Sequence, residues 1–443
     1  INASLMNIIR SYVSRLDESL KGIGYQNPIS MFTCSGGIVG IEEIVKKPIY
    51  SIDSGPAMAP VAGRIIAGME RAANHVITVD MGGTSFDVCA ITNGNIVVSR
   101  DCKVAGHYLG ISKVDSRSIG AGGGSIAWVD PGGLVRVGPQ SAGAIPGPAC
   151  YGLGGNEPTV TDANIVLGYL NADYFLGGRM KLNPQLSDRV IQKKIASRLK
   201  LGTVEAAFTI WTVINHNMLG AIQEMSVWQG IDPREYLIVS GGGAAGMHIQ
   251  AIAKELGVKE VLIPKFAGVL SSAGGILSDL VGEFSSSYFI ESYRFKYEAV
   301  NHVLASLEKQ AEEFLRRHNV ALDKGRIEFY VEARYPYQIW ELDVPLRGNR
   351  IRNEQALRQM VNDFHDIHEG VFAINEPEQY IECLHWRARA VGEVVKPEIR
   401  ELIYGGEDPS TALKGKRSAY FGGFVETPVY DGAKLTYGNR IEA

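Results

Sequence analysis

Asp80-Met81-Gly82-Gly83-Thr84-Ser85-Phe86-Asp87 joins two apolar runs, His75 to Val79 and Val88 to Thr92. The pattern predicts a strand that ends in a carboxylate, turns through two glycines and returns as a second strand. Glycines without a Cβ let backbone N–H groups approach a polyphosphate, and Thr84 and Ser85 add hydroxyl donors. Asp80 is placed to hold the hydration shell of Mg²⁺ or to orient an attacking group, because Mg²⁺ prefers carboxylate and water oxygens. Asp87 is the second candidate catalytic carboxylate, or a cap on the turn. An ordinary polar hairpin turn remains the other reading of these residues.

A second glycine segment, Ser240-Gly241-Gly242-Gly243-Ala244-Ala245-Gly246-Met247-His248, lies between an expected strand (Tyr236 to Ser240) and an expected helix (Ala244 to Leu256). It satisfies G-x-G-x-x-G, but a dinucleotide site also wants an acidic residue near the end of the next strand. That strand, Val258 to Ile263, ends in Pro264-Lys265, with Glu260 inside it. A nicotinamide site is disfavoured, and Gly241, Gly242 and Gly243 are better suited to pack against adenine or ribose. A purely structural strand–helix turn stays open. No G-x-x-x-x-G-K-[ST] occurs, so a P-loop is excluded.

Outward from these motifs, Asn2 to Leu20 and Val204 to Val227 carry helical periodicity, and Ala57 to Met69 reads as a buried helix. Ile29 to Thr33, Pro48 to Ile52 and Asn95 to Ser99 read as short strands, the last after an Asn93-Gly94 hairpin signal. The Gly- and Pro-dense stretch from Gly106 to Gly178 reads as ordered loops near a ligand or partner, with a flexible linker as the alternative. From about Phe284 charged helices (Val300 to Arg317, Gln355 to Ile367) alternate with strands (Ile327 to Arg334, Ile339 to Val344, Tyr380 to Val391), an α+β module with a coiling tail from Lys396. The opening lacks a leading Met and is already helical, which predicts a fragment or a processed product.

The 443 residues suffice for two or more domains, and 45% hydrophobic with 21% charged residues is the balance of a globular protein. A net charge of −4 without a basic stripe argues against nucleic acid. The longest apolar region, Phe266 to Val281, is broken by serines, glycines and Asp279, so no transmembrane helix is expected. Cys34, Cys89, Cys102, Cys150 and Cys383 have no CxxC spacing and read as reduced thiols of a cytoplasmic protein. Cys150 has no basic neighbour and reads as a packed thiol. Asn215, His216 and Asn217 read as ligand-facing or as satisfied polar groups in a helix pair. His365 and His368 lack a third ligand in register and read as a polar helix face rather than a zinc site.

Taken in order, these motifs resemble the hydantoinase A/5-oxoprolinase family, which includes subunits of acetone and acetophenone carboxylases. The matching strings are SGPA (Ser54 to Ala57), DMGGTSFDV (Asp80 to Val88), SIGAGGGSIAWVD (Ser118 to Asp130), VGPQSAGAIPGPACYG (Val137 to Gly152), PTVTDANIVLGYL (Pro158 to Leu170), FLGG (Phe175 to Gly178) and SSAGGILSD (Ser271 to Asp279). The resemblance implies an α/β, actin-like ATPase fold, as in sugar kinases and Hsp70, with a ribonuclease-H-like lobe and an additional C-terminal α+β domain. It implies ATP and Mg²⁺ as cofactors, with the Asp80 hairpin and the Gly241–Gly243 turn as the nucleotide site. It also implies a second large, hydantoinase B-like subunit or domain in a hetero-oligomer, and a cyclic amide or ketone as substrate. Family members begin with an earlier D-x-G-G-T lobe, so residues 1–74 would link to a missing first lobe, residues 75–283 would form the nucleotide-binding lobe with the 106–178 insertion, and residues 284–443 the C-terminal domain. With one of two phosphate hairpins present, the 443-residue chain alone is expected to hydrolyse ATP poorly. An ATP-dependent amidohydrolase subunit is the leading expectation. A ketone carboxylase subunit and a non-catalytic nucleotide-binding scaffold are the alternatives.

Overall fold

The computed structural model describes residues 1–99, 103–104, 107–108, 111, 113–399 and 402–441. Residues 34–36, 53–277 and 397–443 form one compact unit, and residues 1–33, 37–52 and 278–396 form the other.

In the first unit the strands β1 (Val76–Met81) and β2 (Phe86–Thr92) form the expected hairpin, with β3 (Ser116–Ile119) antiparallel to β2. β4 (Leu237–Gly241) runs parallel to β1, and β5 (Val261–Leu262) runs parallel to β4. The resulting order is β3-β2-β1-β4-β5. β1 is buried on both faces, and its alternation assigns each face a partner. Ile77, Val79 and Met81 join one core with Ile238, whereas Val76 joins the other with Leu237 and Val239. Parallel strands covered on both sides favour such near-continuous apolar runs.

Helices α1 (Ala59–Arg71), α2 (Val160–Val166), α3 (Thr203–Gln229), α4 (Ile249–Leu256) and α5 (Leu270–Leu277) surround that sheet. The α1 residues Ala59, Ala62, Ile66 and Ala67 share a core with Val76 and Val239. On the opposite face α3 contributes Ile210, Ile214, Met218, Ile222 and Met225. Each such side chain contributes roughly 1.5–3 kcal/mol on burial; of the helix's polar interruptions, Ser226 Oγ donates to Ile222 O and Asn215 Oδ1 bonds His248, while Asn215 Nδ2 has no partner among the described residues.

The Gly- and Pro-dense stretch is ordered where it is described. Ser125–Val129 and Val135–Ser141 pair as a hairpin, and Asp162, wholly buried, accepts from Ala149 N, Cys150 N, Thr159 N, Thr159 Oγ1 and Ser187 Oγ. One carboxylate thus gathers the PGPACYG loop onto the first turn of α2. The expected coiling tail instead contains a hairpin, β6 (Leu413–Tyr420) with β7 (Phe424–Tyr430), turned at Phe421-Gly422-Gly423. Its strands escape a periodic reading because most of their side chains face solvent and show no apolar–polar alternation.

The second unit holds a six-stranded sheet in the order Ser30–Phe32, Ile38–Gly40, Leu280–Glu291, Glu382–Gly392, Gly325–Arg334, Leu342–Pro345. The helices Tyr297–Arg317 and Glu354–Phe372 supply apolar stripes, the first through Val300, Leu304, Leu307, Ala311 and Phe314. Two expected strands differ. Pro48–Ser51 is a 3₁₀ turn, because Pro48 suits a first helical position and Ser51 Oγ donates to Pro48 O at 2.7 Å. In the first unit, Asn95 to Ser99 splits into Asn95–Ile96 on β2 and Val98–Ser99 on Lys113–Val114. Among the described residues no helix is long and apolar enough to cross a membrane.

Candidate functional site

The Asp80 hairpin and the Gly241–Gly246 turn are adjacent because β1 and β4 are paired. Asp80 faces Gly241 across the parallel ladder and Asp87 across the antiparallel one. Met81 O accepts from Ala244 N at 3.1 Å, and Gly242 N donates to Ala267 O at 2.8 Å. Gly242 has φ +89°, and a Cβ there would stand 2.2 Å from Met81 O, so only glycine fits. Gly241 is also close-packed, since a Cβ would meet Leu270 Cδ2 at 2.4 Å. Gly243 differs, as does the pair Gly82 and Gly83: a Cβ on any of them would find no atom within 4 Å. The open surface therefore runs over Gly82, Gly83 and Gly243, while Gly241 and Gly242 let the backbone pack behind it.

A third glycine segment braces the hairpin from the side. Gly123 N donates to Gly82 O at 3.0 Å and Gly124 N to Gly83 O at 2.7 Å. A Cβ on Gly122 would lie 2.5 Å from Thr84 N. Thr161, at the start of α2, bonds Gly123 O through its N (2.7 Å) and its Oγ1 (2.8 Å). Gly82 N is used internally by Ser85 O at 3.1 Å. The N–H groups of Gly83 and Thr84 and the Thr84 hydroxyl have no hydrogen-bond partner among the described residues. Gly83 and Thr84 are exposed, so these donors are free for an anion.

Two carboxylates stand beside these donors. Asp80 Oδ2 accepts from Ser271 Oγ on α5 at 3.0 Å, and Asp87 Oδ2 accepts from Ser85 Oγ at 3.2 Å. Burial pushes the Asp80 carboxyl above the usual carboxylate range, Ser271 pulls it back, and the Asp87 charge pushes it further up. Burial likewise raises Asp87, against the Ser118 and Ser85 hydroxyls; Asp53 adds to the rise and Lys113, bonded to Asp53 at 2.6 Å, opposes it. A cation between the two would remove the repulsion. Among the described residues no group of three or more His, Cys, Asp and Glu could hold a metal. A metal here would complete its shell with water or phosphate oxygen, which is the habit of Mg²⁺.

Ser271, the Gly122–Gly124 brace and Thr161 lie in quoted strings but are not in the sequence-derived site. Each acts through a contact distant in sequence, and no local pattern encodes those pairings. Other candidate groups resolve as structure. Cys150 is buried, and its thiol is pushed up by burial and by Asp162, so it is no nucleophile. Cys34, Cys89 and Cys383 are likewise free and buried, and Cys102 lies outside the described residues. Asn217 Nδ2 donates to Val137 O at 3.1 Å. His365 and His368 form no polar outer face. They are buried, with His365 Nδ1 2.6 Å from Tyr335 Oη and His368 Nε2 2.9 Å from Gln338 Nε2, because both point into the core side of their helix.

His248 ends the second glycine segment and is 1% exposed, and burial lowers its pKa from 6.5 to about 3. It is neutral when folded, whereas the unfolded chain takes up the proton below 6.5. Its contribution is fully present above that value and is lost as pH falls toward 3. The fall in urea midpoint between pH 7 and 4.5 is therefore expected to be shallower in His248→Gln than in the parent. Parallel slopes would contradict a buried neutral imidazole.

The family model described as Hydantoinase/oxoprolinase matches residues 1–284, and the Hydantoinase/oxoprolinase C-terminal domain model matches residues 291–443. The chain is 36% identical over 449 residues to the caprolactamase subunit alpha of Pseudomonas jessenii, covering 100% of this chain and 64% of that one. The crystal structure of ATP-dependent caprolactamase from that organism superposes with a TM-score of 0.83 at 35% identity, over 98% of this chain and 63% of the other. A nucleotide-free acetone carboxylase superposes at 0.80 and 25% identity, over 97% and 62%. The chain thus spans just under two thirds of the length of these relatives.

Proposed function

The chain belongs to the hydantoinase/oxoprolinase family, and from that membership we propose that the unit containing residues 53–277 is the nucleotide-binding lobe of an ATP-dependent amidohydrolase subunit. In this reading the subunit phosphorylates a carbonyl oxygen of a cyclic amide, and a second large subunit hydrolyses the activated species. The observation that carries it is the pair of carboxylates beside a glycine hairpin with unpaired donors and open space above it. The sheet order β3-β2-β1-β4-β5, an antiparallel trio followed by parallel strands, supports a ribonuclease-H-like lobe of the kind found in actin-like ATPases.

The donors of Gly83 and Thr84 would orient the terminal phosphates, and the open face at Gly243 would take the adenosine. Asp80 is the residue that would hold Mg²⁺, which when bound neutralises phosphate charge. Ser271 fixes the direction in which Asp80 presents its second oxygen. An amide is a poor electrophile. Moving the γ-phosphoryl group onto its oxygen, with ADP departing, converts that oxygen into part of a good leaving group. The protein need only position the reactants and offset charge.

A ketone carboxylase subunit is the second reading, favoured by the superposition on acetone carboxylase over 97% of the chain. The test is ATP turnover by the complete assembly with a panel of lactams and hydantoins, and separately with ketones plus bicarbonate. Turnover stimulated by a cyclic amide is expected. Dependence on ketone and bicarbonate would reassign the reaction, and nucleotide binding without turnover in either panel would make the chain a scaffold.

A further inference from the structure

Three polar side chains with no part in the proposed chemistry meet behind the second glycine turn. His248 Nδ1 lies 2.7 Å from Asn215 Oδ1 on α3, and its Nε2 lies 3.2 Å from Asn164 Nδ2 on α2. With the two amides oriented in this way, an Oδ1 that only accepts places the proton on Nδ1, and Nε2 receives the Asn164 N–H. Asn164 is wholly buried and Asn215 nearly so. Trp211, also on α3, stacks on the imidazole and donates its Nε1–H to Met247 O at 3.1 Å. The near half of the turn is tied to β1 directly, through Ala244 N and Met81 O. The far half, Ala245 to His248, is tied to α2 and α3 by this cluster.

α2 also reaches the hairpin. One turn before Asn164, Thr161 holds Gly123 O, and Gly123 N holds Gly82 O. A continuous hydrogen-bonded path therefore runs from the Gly241–Gly246 turn through His248 and Asn164 to α2, and from Thr161 through Gly123 to Gly82. Buried hydrogen bonds of this kind are costly to break, which resists separation of the elements they join. Among the described residues Asn164 Oδ1 and Asn215 Nδ2 keep no partner in the cluster, so its hold rests on the two bonds to the imidazole.

We propose that His248 is a positioning residue, and that α2 is the strut through which it fixes the spacing between the glycine turn and the phosphate-facing hairpin, so that both ends of one nucleotide are gripped together. The proposal rests on the nucleotide reading of the hairpin. It gives a role to three buried polar residues, His248, Asn164 and Asn215.

The test uses the complete assembly with three chains: parent, His248→Leu and His248→Gln. Gln keeps one donor and one acceptor and can serve both asparagines. Nucleotide-free amide exchange reads the strut itself. Faster exchange at the hydrogen-bonded amides of Gly82, Gly122, Gly123 and Gly124 in His248→Leu, reversed in His248→Gln, is expected, and unchanged exchange there overturns the strut. Titration with a fluorescent ATP analogue and Mg²⁺ reads its consequence. His248→Leu is expected to weaken binding about tenfold, the effect of roughly 1.4 kcal/mol, with the Gln variant within about threefold of the parent. If the parent itself binds no analogue while the exchange result holds, the nucleotide reading fails and the strut stands. If Leu prevents folding, Asn164→Leu and Asn215→Leu each remove one bond and are read by the same two measurements. Loss of thermal stability in all variants with affinity and exchange unchanged would reduce the cluster to packing.

Discussion

Asp80→Asn is expected to lower kcat of the complete enzyme by a factor of roughly 10² to 10⁴ while leaving its thermal midpoint at pH 7 unchanged or raised. The second half of the expectation follows from the sign of the titration. Burial and Asp87 hold the Asp80 carboxyl above the ordinary range, so at neutral pH the ionised form costs the folded state more than the unfolded one. The native protein recovers that cost only as pH falls through the raised value. A neutral amide of the same size removes the cost and still accepts the Ser271 hydrogen bond through its oxygen. A residue kept for stability behaves in the opposite way. Asp87→Asn is expected to cost less activity, because Asp87 is already engaged by Ser85 and flanked by Lys113. Steady-state turnover and melting of both variants, measured side by side, separate the cases. An Asp80→Asn enzyme that melts early and keeps its specific activity would make the carboxylate structural.

The second large effect separates two adjacent glycines. Gly242→Ala is expected to destabilise the protein by about 3 kcal/mol or more, in the range reserved for backbone strain and overpacking. Its φ of +89° suits no side chain, and the new methyl would lie 2.2 Å from Met81 O, a backbone atom that cannot swing aside. Gly243→Ala is expected to change stability by less than about 0.5 kcal/mol, because no atom lies within 4 Å of its Cβ position and its φ is not positive. It would instead place a methyl on the surface assigned to adenosine, an overpacking cost of about 1–3 kcal/mol, or roughly tenfold or more in nucleotide affinity. Chemical denaturation and nucleotide titration of the two variants read these opposite profiles. Equal destabilisation by both would remove the distinction between a packed and an open glycine.

Local chemistry was legible where it is local. The apolar runs of β1 and β2, the glycine turn between them, and the strand–glycine–helix passage at Ser240 to Leu256 all follow from residue order. Neighbours distant in sequence were not. Ser271 meets Asp80 from 191 residues away, and His248 meets Asn164 from 84. Neither has a periodic signature, because a single hydrogen bond between packed elements leaves no pattern along either. Gly241, Gly242 and Gly243 look alike in sequence, and only the approach of Leu270 and Met81 assigns the first two to packing and the third to the open face. The tail hairpin was obscured for a third reason. In this exposed ribbon apolar and polar side chains do not alternate with period two, so the pattern that marks a half-buried strand is absent.

The Asp80 hairpin is expected to receive the phosphates of ATP. Structure determination of the complete assembly with a non-hydrolysable ATP analogue and Mg²⁺ tests it most directly. Phosphate density is expected against Gly83 and Thr84, the metal beside Asp80, and the nucleoside over Gly243. An analogue bound elsewhere, with the hairpin surface bare at saturating nucleotide, would contradict it.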